Sequence, residues 1–118
     1  MSFLEKFNKY SNKLKQMGGN PFRISVGPAA ANIYDDDTKS RLTVDWSFDA
    51  IDYKYRNGEI ITFSIGPKTE KSELFKIDTP DKKLIFKNLA FFAIENLKTV
   101  PSANQAVIKL QEYAEEMV

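Results

Sequence analysis

Apolar and polar residues take turns over much of the first half of the chain. Phe22, Ile24 and Val26 alternate with Arg23 and Ser25, and Leu42, Val44, Trp46 and Phe48 alternate with Thr43, Asp45 and Ser47. A period of two puts the apolar set on one side of a β-strand, so each stretch predicts a strand in a sheet with one dry and one wet face. A further short strand is predicted around Ala31 to Tyr34, followed by the polar turn of "DDDTKS". The apolar parity changes from even at Phe48 to odd at Ile51, so the chain has to bulge or turn near Asp49-Ala50.

The stretch "IDYKYRNGEIITFSI" predicts a hairpin at Asn57-Gly58. A two-residue turn would set Lys54 opposite Ile61 and Asp52 opposite Phe63, charges beside core residues. A three-residue loop of Arg56, Asn57 and Gly58 instead pairs Tyr53 with Ile61 and Ile51 with Phe63. The second register keeps one face apolar, and it predicts Gly58 in the left-handed conformation of a G1 bulge. A last strand is expected over Glu73 to Ile77.

Elsewhere the apolar period lengthens to that of helices. Ser2 and Glu5 form a capping box ahead of Phe3, Phe7, Tyr10, Leu14 and Met17, and Gly18-Gly19 with Pro21 stops the helix. Thr79-Pro80-Asp81 is a second start, with an N-cap, a proline at the first helical position and an acid in the first turn. The helix that follows, to about Lys98, is apolar on most sides. "TVP" breaks it, and Ser102 with Gln105 reads as a capping box for a final helix whose stripe is Ala103, Val107, Leu110, Tyr113, Ala114 and Met117. The predicted architecture is a single α+β domain over residues 1–118: an N-terminal helix, a four- to five-stranded antiparallel meander, and two C-terminal helices packed on one face.

One echo in the pattern tests for a ligand loop. "FRISVGP" at Phe22–Pro28 recurs as "ITFSIGP" at Ile61–Pro67. A Gly-Pro pair is a poor phosphate cradle, because a cradle aims successive backbone N–H groups at the anion and proline has none. Two strands that end alike account for the echo.

Composition narrows the chemistry by exclusion. The 118 residues contain neither histidine nor cysteine. That removes the usual general base, the thiolate nucleophile, the disulfide and the commonest zinc ligands together. The net charge of +1 gives no push toward nucleic acid, although its sign is uneven: residues 1–20 carry four lysines against Glu5, and residues 28–52 carry six aspartates against Lys39 and Arg41. The longest apolar run, Leu89 to Ile94, is far short of a membrane span, and the absence of a signal-like segment fits a cytoplasmic protein.

Two constellations remain. Asp35, Asp36 and Asp37 with Thr38 offer hard oxygen ligands for Ca²⁺ or Mg²⁺, but the spacing lacks the alternation and central glycine of a calcium loop, so a solvated turn is the expectation and no cofactor is implied. Trp46, Lys54 and Arg56 lie in an aromatic and basic stretch of the kind that binds single-stranded nucleic acid. Tyr53 and Tyr55 share the inward parity of Ile51, however, and Asp45, Asp49 and Asp52 would repel phosphate.

With no catalytic motif, the expected function is non-enzymatic binding of another protein, as an adaptor, inhibitor or accessory factor, with a second copy of the chain among the partners. The composition, rich in Lys, Asn, Ile and Phe, suits a phage or bacterial accessory protein. Expected contact residues are the acidic turn (Asp35, Asp36, Asp37), the hairpin tip (Arg56, Asn57), and whichever of Phe86, Phe91 and Phe92 the core does not absorb. The alternative is a single-stranded nucleic-acid binder using Trp46, Lys54 and Arg56.

Overall fold

Five strands form an antiparallel meander in the computed structural model, which describes residues 22–56, 58–64 and 76–116. They are β1 (Phe22–Val26), β2 (Ala30–Asp35), β3 (Ser40–Asp45), β4 (Ala50–Tyr55) and β5 (Glu59–Ser64), ordered in the sheet as in the chain. Two helices follow, α1 (Pro80–Leu97) and α2 (Asn104–Glu116), joined by a short 3₁₀ turn over Pro101–Ala103. The predicted N-terminal helix lies outside the described residues, as do most of the predicted Glu73–Ile77 strand and residues 65–67 of the second Gly-Pro echo.

The alternating pattern produces the two faces it implies. Ala31, Ile33, Leu42, Val44, Ile51, Tyr53, Ile61 and Phe63 are buried under the helices, and the intervening residues form the solvent face. Tyr53 pairs with Ile61 and Ile51 with Phe63, the register of the three-residue loop. Among the described residues of that loop Arg56 is left-handed, at φ 54°, and the expected Gly58 is not.

β3 stops earlier than its alternation suggests. It ends at Asp45, and Trp46 to Asp49 form a four-residue turn, with Phe48 exposed at its tip instead of continuing the inward row. The change of parity noted in the sequence is this turn.

Thr79 caps α1 as expected, its hydroxyl accepting a hydrogen bond from the Lys82 amide at 3.2 Å. The helix is held to the sheet at this end by polar contacts. The Tyr53 hydroxyl donates to the Lys82 carbonyl at 2.9 Å, and the Lys82 ammonium, only 13% exposed, meets Glu59 at 2.8 Å and Asp78 at 3.3 Å. Ile85, Phe86, Leu89, Phe92 and Leu97 then run across the sheet, with Phe86 edge-on to Tyr53 and Phe92 edge-on to Phe22. Such pairs add to the area buried. Phe86, Phe91 and Phe92 are all buried, so the core absorbs the three aromatics considered as a contact surface.

The Ser102 capping box is not formed as predicted. Ser102 sits inside the 3₁₀ turn, whose preceding residue is Val100. α2 buries Ala106, Leu110, Tyr113 and Ala114, and the Tyr113 hydroxyl reaches the Ser64 carbonyl at 2.7 Å. Among the described residues no helix is long and apolar enough to cross a membrane.

Candidate functional site

The meander has two ends, and the sequence candidates divide between them. The turns 36–39 and 56–58 share one end with the start of α1; the turns 27–29 and 46–49 share the other with the 3₁₀ turn. Asp35, Asp36, Asp37 and Arg56 therefore lie at the same end, as a contact surface built from them would need. Asn57 lies outside the described residues.

At that end two of the three carboxylates, Asp35 and Asp36, are committed to the fold. Asp35 is 8% exposed and accepts hydrogen bonds from the Asp37 amide (3.1 Å), the Thr38 amide (3.4 Å) and the Thr38 hydroxyl (2.9 Å). The Ser40 hydroxyl is 2.9 Å from the Thr38 hydroxyl and accepts from the Arg56 amide at 2.9 Å, which ties the two turns together. Asp36 forms a forked pair with Arg23 at 2.7 and 3.0 Å, and the hydrogen bond from that guanidinium holds its carboxyl below the usual range. The Arg56 guanidinium reaches Asp81 at 3.5 Å. This division of labour is that of a polar turn: one acid caps the backbone, one pairs with an arginine, and Asp37 faces solvent. Among the described residues no group of three or more acids gathers at metal-binding distance.

The opposite end uses the same turn for another purpose. Asp45 occupies the position of Asp35 ten residues on, and its Oδ1 accepts from the Ser47 amide (3.0 Å), the Phe48 amide (3.0 Å) and the Ser47 hydroxyl (2.7 Å). These donors, the Ser47 hydroxyl foremost, hold the Asp45 carboxyl below its ordinary pKa. The 27–29 connection and the end of β5 brace the turn from either side. The Trp46 amide and indole Nε1 donate to the carbonyls of Ala29 and Pro28 at 3.1 and 3.2 Å, and the Ser64 hydroxyl donates to the Asp49 carbonyl at 3.3 Å. Asp49 closes the turn at φ 51°.

This scaffold carries Phe48 with 83% of its surface in solvent. Beside it Trp46 and Asp49 line a groove of about 330 Å³, whose far wall is Pro101, Ser102, Asn104 and Gln105. Val26, 47% exposed, is the last residue of β1 at the same end.

The three residues of the nucleic-acid alternative are not brought together. Trp46 is at one end of β4 and Arg56 beyond the other, about 20 Å apart by the rise of a six-residue strand. Lys54 lies between them on the solvent face. Sequence reasoning missed Phe48, which it placed in the core. The available signal was the repeat of Asp35-x-Asp37-Thr38 as Asp45-x-Ser47-Phe48, an aspartate followed at two and three residues by the amides it caps. No protein-family model matches the chain, and comparisons with curated proteins and with solved structures found no similar chain.

Proposed function

We propose that this chain is a non-catalytic protein-binding domain, an adaptor, inhibitor or accessory factor, and that it engages its partner through the β3–β4 tip. One observation carries this reading: Phe48 is almost fully exposed on a turn fixed by hydrogen bonds from within and from both flanks. Leaving a phenylalanine in water forgoes about 1.5–3 kcal/mol that its burial would supply. A partner with an apolar pocket recovers that energy, and the braced turn loses little conformational freedom when it docks.

The remaining chemistry supports binding over turnover. The chain has no imidazole or thiol, the Asp35 carboxylate is held by three turn hydrogen bonds, and the Tyr53 hydroxyl is tied to α1 with its phenol pushed up by burial. A cytoplasmic setting belongs to the same reading.

The test is capture from the native host with the wild-type chain and with Phe48→Ala, quantified side by side. Phe48→Ala should unfold within about 0.5 kcal/mol of wild type, as surface substitutions do. The reading expects a protein retained by wild type to be depleted at least tenfold by Phe48→Ala. Equal retention of every captured protein by both would overturn it.

A further inference from the structure

The solvent face of the sheet carries a second arrangement, independent of the Phe48 end. Register aligns Arg23 with Tyr34, Tyr34 with Arg41, Arg41 with Lys54, and Lys54 with Ile60, so one row crossing the sheet reads Arg-Tyr-Arg-Lys-Ile. Arg41 and Lys54 are direct cross-strand partners. Like charges placed directly opposite each other destabilise a sheet. Here, among the described residues, neither Arg41 nor Lys54 has a carboxylate at ion-pairing distance. The fold gains nothing from this pair, and a local choice that opposes the fold points to a ligand.

The residues around the pair define what that ligand is. Arg23 lies 4.8 Å over the Tyr34 ring and is neutralised by Asp36, so it acts as a plane beside the aromatic more than as a free charge. The adjacent row is Ser25, Asn32, Thr43, Asp52 and Thr62, small hydrogen-bonding groups in which Asn32 and Thr43 already bond at 2.7 Å. Asp52 would repel a phosphate but can accept from the amino group of a base. A cationic row beside an aromatic ring, with a neutral-to-acidic row alongside, matches a strand whose backbone is anionic and whose bases are flat donors and acceptors.

We propose that this face binds single-stranded nucleic acid, with a phosphate seated between Arg41 and Lys54, Tyr34 as the stacking ring, and bases directed toward the Asn32–Thr43–Asp52 row. Two cations on the backbone imply weak binding with a shallow salt dependence. For about two phosphates the slope of log K against log salt is about −1.4, a loss of about sevenfold between 50 and 200 mM.

Fluorescence anisotropy of labelled 12-nucleotide DNA and RNA single strands, titrated with the full chain at several salt concentrations, tests this. The expected result is binding at 50 mM salt with that slope. Arg41→Thr/Lys54→Thr should weaken binding at least tenfold while unfolding in urea no earlier than wild type, because the like-charge pair is gone and threonine suits a strand. Tyr34→Ser should weaken the oligonucleotides but leave inorganic polyphosphate unchanged. Phe48→Ala should bind the strands as wild type does, which separates this face from the protein-binding tip. Absence of binding at 50 mM salt, unchanged affinity in the double variant, or equal affinity for polyglutamate would each overturn the proposal, the last by making the face a site for acidic protein.

Discussion

Two turns, ten residues apart, have nearly the same construction and opposite surroundings. In each an aspartate ends a strand and caps the amides two and three residues on, and a residue with positive φ closes the turn: Lys39 at 60° in one, Asp49 at 51° in the other. The difference lies at the third residue. Thr38 turns its hydroxyl back onto Asp35 and Ser40, so that turn is stitched into the next hairpin through the Arg56 amide. Phe48 has no group to turn back, and the same backbone lifts it into solvent. A turn's geometry therefore says little about its use; the side chain at the free position decides whether the turn consolidates the sheet or presents a surface.

The comparison can be broken by removing each cap. Asp35→Ala removes a nearly buried acceptor from part-buried hydrogen bonds and should cost about 2–3 kcal/mol. Asp45→Ala leaves its donors at an exposed turn, where water replaces the lost bonds, and should cost about 1 kcal/mol. Urea unfolding of the two variants measures both. Equal costs would mean that the Asp35 turn is no more deeply built into the fold than the presenting one.

Acid sharpens the same contrast. The Asp45 carboxyl has a folded-state pKa below its ordinary value because the Ser47 hydroxyl and the turn amides bond its charged form. The stability it contributes is therefore present above the unfolded value of about 3.9 and is lost as pH falls through the lower folded value. The gap in stability between wild type and Asp45→Asn should be constant from pH 7 to about pH 5 and close below about pH 4. A gap that persists at pH 2 would show that the turn is pinned by something other than this carboxylate.

The smallest effect comes from the closing residues. A left-handed lysine is strained, whereas aspartate visits that region more readily. Lys39→Gly should stabilise by about 0.5–1 kcal/mol and Asp49→Gly by less than about 0.5 kcal/mol, since glycine removes the strain but adds chain entropy. A larger gain at Asp49 would reverse the ranking of strain between the turns.

How far the chain could be read from its residues follows from which signals are local. The five strands of the sheet, the Tyr53–Ile61 register and the Thr79 cap were legible, because each depends on alternation or on a residue's own hydrogen-bonding groups, whereas the strand expected over Glu73–Ile77 is not present at its described end, Lys76 and Ile77. Trp46 and Phe48 misled because they extend the even parity of Leu42 and Val44 across a turn, and aromatics are uncommon there. The 3₁₀ turn displaced the Ser102 cap because Pro101 starts the helical backbone two residues earlier than the serine implies. Within a loop whose length was correct, Arg56 and not Gly58 takes the left-handed conformation. Of the candidate sites, the acidic turn and Arg56 share an end of the sheet. The Arg41–Lys54 pair could not be seen, since it depends on the register of β3 on β4, which the four-residue turn sets.

The central claim is that the β3–β4 tip, and not the otherwise similar β2–β3 tip, meets the partner. A photo-crosslinking amino acid placed at position 48 or at position 37, both exposed, tests it in the native host. The account predicts a covalent adduct with another protein from position 48 and none from position 37. An adduct from position 37 alone, or none from either, would contradict it.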